Sequence, residues 1–220
     1  MGTNLLNLNQ IFRLICVFGA LCVLFPVSVH SKEKAVVLAF GDSLTAGYGV
    51  KDEESYPSRL QVKIASAGFP HKVVNAGVSG DTTAGGVRRI RWLMKHEPEI
   101  VILALGANDG LRGLSVDEMR KNLETMIAIC REHNARILLA GMKALPNYGE
   151  DYMQEFETVF PELAKKYDLA FLPFLLEGVA GERDYTQPDG LHPVASGYSI
   201  VTDLVWQQLE PMLAASRRAQ

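Results

Sequence analysis

Four short segments carry residue types that together could perform acyl transfer. GDSL at 41–44 offers Ser43, VSGD at 78–81 offers Gly80, GAND at 106–109 offers Asn108, and DGLHP at 189–193 offers Asp189 and His192. A serine hydroxyl becomes nucleophilic only beside a base. The base needs a carboxylate to fix its tautomer, and the oxyanion that forms needs fixed N–H donors. Ser43 is the candidate nucleophile, His192 the base and Asp189 its orienting acid. The backbone N–H groups of Ser43 and Gly80 and the side-chain amide of Asn108 are the candidate oxyanion donors.

Each segment alone has a plainer reading. Ser43 also suits a helix N-cap, and Asp189-Gly190, Gly80-Asp81 and Asn108-Asp109 also suit simple turns. All four together, each on a loop that follows or lies beside a predicted strand, favour a site. Asp189 and His192 are three residues apart, so a tight turn places them on one side. Ser79 is a second serine beside Gly80, but no G-x-S-x-G elbow surrounds it or any other serine. The other histidines have ordinary settings: His30 near the leader boundary, His71 at a strand start, His96 and His133 at helix ends. Asp42 and Asp109, beside Ser43 and Asn108, read as acceptors that hold their loops.

The elements that must position these residues alternate. Apolar runs at 35–40, 72–75, 100–105, 137–142 and 169–174 read as strands, three of them unbroken as in a sheet covered on both faces. Helices are expected at about 56–67, opened by Ser55 and Pro57, and at 82–96, stopping before Pro98. Others are expected at 116–133 behind the capping box Ser115–Glu118, at 150–167 with a break or kink at Pro161, and from about 195 to Pro211. This βα rhythm implies a parallel sheet with helices on both faces, where ligands bind beyond the carboxyl ends of the strands.

The first thirty-one residues differ from the rest. Arg13 is the only charge before Lys32, and the apolar run at 14–26 is short for a membrane span of about 20 residues. Small residues follow at Ser28 and Ser31. Residues 1–31 therefore read as a cleaved signal peptide, and 32–220 as one domain with no stable span after cleavage. Cys22 follows Leu21 rather than a small residue, so lipid attachment is not expected. Cleavage would leave Cys130 as the sole cysteine, in an apolar helical stretch where it reads as a small buried hydrophobe. The chain has a net charge of −3, and RRIRW at 88–92, its nearest approach to a basic run, reads as a solvated helix face. Nucleic acid is not an expected partner. No metal is expected, since no His/Cys/carboxylate cluster has ligand spacing, and no nucleotide cofactor, since neither phosphate-loop pattern occurs.

With those strings in hand, the chain resembles the SGNH (GDSL) hydrolase superfamily, most closely its periplasmic thioesterase I / lysophospholipase / arylesterase group. GDSLTAGYG at 41–49, VVNAGVSGDTTAGG at 73–86, LGANDGLRG at 105–113, LPNYG at 145–149 and DGLHP carry the likeness, which covers nearly everything after residue 35. It implies a flavodoxin-like three-layer α/β/α fold with a five-stranded parallel sheet. It implies hydrolysis of acyl esters and thioesters through an acyl-enzyme on Ser43, with no cofactor and with small acyl esters, thioesters or lysophospholipids as partners. GANDGLRG resembles a loop that closes on the acyl chain. Substrate contacts are expected from Asp42, Leu111, Leu145 and Tyr148. The expected setting is periplasmic or secreted, as a monomer. A carbohydrate O-deacetylase shares the chemistry, and a flavodoxin-like binding module shares the fold. Apolar residues in the site loops (Leu111, Leu114, Leu145, Leu175, Leu176 and Val179) favour acyl chains, although 175–176 also suit core packing.

Overall fold

Unbroken apolar runs become strands buried on both faces. In the computed structural model, which describes residues 35–218, five strands pair in the order β2-β1-β3-β4-β5, all parallel. They are β1 (Val36–Gly41), β2 (Lys72–Gly77), β3 (Pro98–Ala104), β4 (Arg136–Ala140) and β5 (Ala170–Leu172). Val37 to Phe40 and Ile100 to Ala104 have no exposed surface, so β1 and β3 form the centre of the core. This is the flavodoxin-like order, with β1 at the point where the chain reverses direction across the sheet.

Seven α-helices are described: α1 (Ser43–Ala46), α2 (Tyr56–Ser66), α3 (Thr83–Leu93), α4 (Ala107–Leu111), α5 (Val116–Glu132), α6 (Glu150–Lys166) and α7 (Ala195–Arg218). α2 packs against α7, while α3, α5 and α6 pack in sequence against one another. The two groups supply the outer layers of an α/β/α sandwich. The very short helices α1 and α4 follow β1 and β3 directly and carry Ser43 and Asn108. None of the helices described is long and apolar enough to cross a membrane. The expected signal segment lies outside the described residues.

The helix expected over 150–167 forms with Pro161 inside it, whereas Pro211, expected to end the last helix, does not end it. Pro161 lies inside α6 and Pro211 inside α7, and both helices continue past them. An interior proline costs about 3 kcal/mol. Phe156, Val159, Phe160 and Leu163 are buried around Pro161, as are Leu209 and Leu213 around Pro211. At about 1.5–3 kcal/mol per buried apolar side chain, packing on either side outweighs the lost bond. The run at 169–174 shortens to three residues of strand, and β4 ends at Ala140. Residues 142, 174 and 176 thereby leave the ladder and line a cavity. Ser55 does not cap α2. Its hydroxyl instead donates to the Asp52 carbonyl at 2.8 Å.

Candidate active site

Ser43 begins α1 two residues beyond the end of β1. Asp42 makes the turn possible: it is the N-cap, and its Oδ1 accepts from the Leu44 N–H at 3.0 Å. The imidazole of His192 meets Ser43 from the other end of the chain, with Nε2 2.9 Å from Ser43 Oγ. Its Nδ1 lies 2.6 Å from Asp189 Oδ2. An Nδ1–H donated to the carboxylate leaves Nε2 free to accept the serine proton. Asp189 Oδ1 accepts from the backbone N–H groups of Leu191 (2.9 Å) and His192 (3.0 Å), so one carboxylate shapes the loop and orients the ring. Partial burial works against its charge, but those N–H groups and the imidazole outweigh it and hold Asp189 down to about 2. It is ionised at any pH where His192 acts as a base.

Gly80 occupies a turn just past β2, closed by Asp81 N–H donating to the Val78 carbonyl at 3.1 Å. Its φ of 79° is in the left-handed region, which explains the glycine. The guanidinium of Arg112 donates to its carbonyl at 2.8 Å. Asn108 sits in α4 and directs Nδ2 toward Asp42 Oδ2 at 3.3 Å. Asp109 accepts from the Thr83 hydroxyl at 2.6 Å and the Thr83 N–H at 2.9 Å, fastening the Asn108 loop to the start of α3. Burial raises its pKa, and Thr83 opposes that shift.

Asp42 was expected among the substrate contacts, and the structure places it elsewhere. It has no exposed surface and does not line the cavity beside Ser43. Its two oxygens are turned inward, to the α1 backbone and to Asn108. Burial pushes its carboxyl from an ordinary 3.8 up to about 6, against the pull of Leu44, Asn108 and the nearby His192. Tyr148 is also displaced from the expected role. Its hydroxyl donates to the Leu111 carbonyl at 3.1 Å, and its ring covers Gly113, so it props the 107–114 segment instead of lining the cavity.

Leu111 and Leu145 do line that cavity, which has a volume of about 480 Å³ and opens on Ser43, Asn108 and His192. Met142, Phe174 and Leu176 complete its apolar wall, with Lys143 as a charged member. Lys143 Nζ lies 4.7 Å from the centre of the Phe174 ring and 3.9 Å from Glu177. Leu175 and Val179 are fully buried in the core, and Leu114 does not reach the cavity. Cys130 is buried and its thiol is pushed up to about 12, so it carries no reactive thiolate. Among the described residues no group of three or more His, Cys, Asp or Glu is placed to hold a metal.

Several residues around the site are not among those the sequence reading singles out for it. The Tyr48 ring packs 4.6 Å from the His192 ring, and Gln187 Nε2 donates to the Tyr48 carbonyl at 2.8 Å. Arg89 lies inside the RRIRW string, which was expected to be a solvated face. Arg88, Arg91 and Trp92 are exposed as expected, but Arg89 turns inward. Helical spacing places 89 one turn beyond the buried Gly85, which is the signal that distinguishes it.

Comparison with known proteins gives a consistent picture. Residues 39–200 match the GDSL-like lipase/acylhydrolase family. The chain is 36% identical to the esterase TesA of Pseudomonas aeruginosa over 87% of its length and 96% of that protein. It is 34% identical to thioesterase 1/protease 1/lysophospholipase L1 of Escherichia coli, over 95% of its length and 98% of that protein. The crystal structure of AlinE4, an SGNH-hydrolase family esterase, superposes with a TM-score of 0.69 at 44% identity, over 82% of this chain and 97% of that one.

The Asp42 carboxyl links pH to stability with a definite sign. Its folded-state pKa lies above its ordinary value, so the folded state holds the proton more tightly. Its stabilising contribution is complete below about pH 4 and is lost as pH rises toward about 6. Asp42→Asn removes that dependence. In urea denaturation at pH 4, 5, 6 and 7, the variant should gain on the order of 2 kcal/mol relative to wild type across the series. Parallel stability curves for the two proteins would refute the buried, proton-holding carboxylate.

Proposed function

Because the chain belongs to the GDSL-like lipase/acylhydrolase family and is an ester or thioester hydrolase, we propose that it is an exported serine hydrolase. It cleaves acyl esters and thioesters, including lysophospholipids, through an acyl-enzyme on Ser43. The observation that carries this reading is the continuous Asp189–His192–Ser43 hydrogen-bond chain opening on an apolar cavity.

In this reading His192 Nε2 takes the Ser43 proton as Oγ attacks the acyl carbonyl. The C–O or C–S bond then breaks as Nε2 returns the proton to the leaving group. Asp189 balances the imidazolium charge through Nδ1, and the buried Asp42 adds a second negative charge in its field. The oxyanion is held by the Ser43 and Gly80 N–H groups and the Asn108 amide, whose donors are fixed before substrate arrives. Water, activated by the same imidazole, then attacks the acyl carbon, and Ser43 Oγ leaves with the proton from His192. Leu111, Leu145, Phe174 and Leu176 receive the acyl chain.

The cavity wall makes the substrate class testable. Burying a methylene is worth about 0.8 kcal/mol. On p-nitrophenyl acetate, butyrate and octanoate, kcat/KM should rise by up to about fourfold per added methylene until the cavity is filled. Acetylated xylan should be a poor substrate. A preference for acetate together with efficient deacetylation of xylan would replace the acyl-chain reading with a carbohydrate deacetylase.

Labelling locates the nucleophile. A fluorophosphonate probe should react with the wild type and with Ser79→Ala, and not with Ser43→Ala. Turnover by Ser43→Ala should fall to the ~10³–10⁴-fold residual catalysis over water that survives loss of a triad member. A Ser79→Ala protein that neither labels nor turns over would move the nucleophile.

Export rests on the apolar run at 14–26 and the small residues after it. N-terminal sequencing of the exported protein should give a start between about residues 29 and 35, after a leader of the ~15–30 residues typical of secretory signals. An intact Met1 in a membrane fraction would establish an anchor instead.

A further inference from the structure

The proposed oxyanion donors reach the site on three separate loops. Backbone N–H groups from two different loops aim at one point only if something ties those loops together. Between the Ser43 loop and the Gly80 loop the backbone supplies one tie, Val78 N–H donating to the Gly41 carbonyl at 3.1 Å, and one side chain adds three more bonds. The guanidinium of Arg89 on α3 donates from Nη2 to the Gly41 carbonyl at 2.8 Å and from Nη1 to the Ala76 carbonyl at 2.6 Å. Its Nε donates to Asp81 Oδ2 at 2.7 Å. Gly41 ends β1 two residues before Ser43, Ala76 stands at the end of β2, and Asp81 follows Gly80.

The setting is built for this one cation. The Arg89 side chain is 20% exposed and that of Asp81 only 11%. The guanidinium carbon lies 4.4 Å from the centre of the Phe40 ring, so the plane of the fork is supported from below. Gly85, one helical turn before Arg89, leaves the space that Asp81 Oδ1 occupies, and a methyl group there would collide with it. Arg89 does not line the cavity beside Ser43.

We propose that Arg89 is a positioning residue for the oxyanion hole, holding the Ser43 and Gly80 backbone N–H groups in one fixed relation. This rests on the catalytic reading given above. Three donors in a rigid plane meet three acceptors on two strand ends and one loop. A lysine presents a single point charge and cannot span them. Oxyanion donors act by standing about 2.7–3.1 Å from the place where charge develops, so a small relative shift of the two loops weakens the transition state more than the ground state.

The test uses Arg89→Lys and Arg89→Met in the mature protein. It measures kcat and KM on p-nitrophenyl butyrate, Ki for an alkyl trifluoromethyl ketone, the pH dependence of kcat/KM, and the melting temperature. The ketone adds Ser43 Oγ at its carbonyl carbon and carries the resulting oxyanion into the hole. Arg89→Lys should lower kcat by about 10–100-fold, the scale of an ångström-sized misplacement, with KM within about twofold. Ki should rise by the same factor as kcat falls, and the pH profile should keep its shape because Arg89 does not touch His192. If Arg89→Met does not fold, Asp81→Asn serves as the second variant. It removes the charge from the one ionised acceptor of the three and should give a smaller loss in kcat with a matching rise in Ki. Folded variants with kcat near wild type, or with kcat lowered and Ki unchanged, would overturn the assignment. Asn108→Ala, run in parallel, separates the two levels of the argument. If it raises Ki while the Arg89 variants do not, only the role of Arg89 fails. If it leaves both kcat and Ki unchanged, the oxyanion reading itself fails.

Discussion

The carboxylate of Asp42 is shut away from water, and the nucleophile turn is organised around it. One oxygen takes the Leu44 N–H and so starts α1 at Ser43, while the other faces the Asn108 amide. Leaving such a group unpaired in the interior would be strongly unfavourable, so both partners are constrained to stay near it. The shift of its pKa to about 6 is the measurable trace of that burial. A residue with no exposed surface thus fixes Ser43 and Asn108, and it places negative charge near the His192 ring. The arrangement is costly in stability at neutral pH. That cost is tolerable because the surrounding strands fully bury apolar side chains over Val37–Phe40 of β1 and Ile100–Ala104 of β3.

Around that centre the work is divided between sheet and loops. The parallel ladder brings the ends of β1, β2 and β3 together at one edge, but it does not set the distances between the loops that leave them. One backbone bond, from Val78 N–H to the Gly41 carbonyl at 3.1 Å, crosses between loops, and side chains make further crossings. Arg89 joins the ends of β1 and β2 to Asp81, Thr83 joins α3 to Asp109, and Arg112 joins α4 to the Gly80 carbonyl. Tyr148 and Tyr152 extend this outward. Both reach the 107–114 segment, with the Tyr152 hydroxyl donating to the Leu114 carbonyl at 2.9 Å. The segment resembling a mobile acyl-chain loop is therefore held by two tyrosines of the following segments in this conformation.

Much of the site was legible because its chemistry is local in sequence. Asp189 and His192 share one turn, and the glycine of VSGD can be read as a backbone requirement. Strands β1 and β3 were legible because a strand covered on both faces is apolar throughout. What stayed hidden is what depends on tertiary contact. Asp42 beside Ser43 reads as an acceptor that holds its loop and also as a substrate contact, and its burial with its bonds to Leu44 and Asn108 keeps the first and excludes the second. Tyr148 lies in a loop string next to Leu145, yet the two point to different places, one to a neighbouring backbone and the other into the cavity. Arg89 was masked by Arg88 and Arg91, whose exposure sets the character of the whole string. Pro211 suggested a helix end because an interior proline has a local cost, whereas the packing that offsets it involves residues distant in sequence.

The last contact the fold must make joins residues 149 apart in sequence, His192 and Ser43. Nothing in the sheet forces it, since the Asp189 loop lies between the short edge strand β5 and α7. The loop is closed on itself by Gln187 N–H donating to the His192 carbonyl at 2.7 Å and by the bridge between Thr186 and Pro193. It is docked on the nucleophile side through the Gln187 side chain, which donates to the carbonyls of Tyr48 and Pro193, and through the Tyr48 ring against the imidazole. These are few contacts, and Tyr48 is 53% exposed. Local stability follows the number of buried contacts, and the loop carrying Asp189 and His192 rests on these few. In the proposed mechanism this suits the imidazole, which exchanges a proton in turn with the serine, the leaving group and the incoming water.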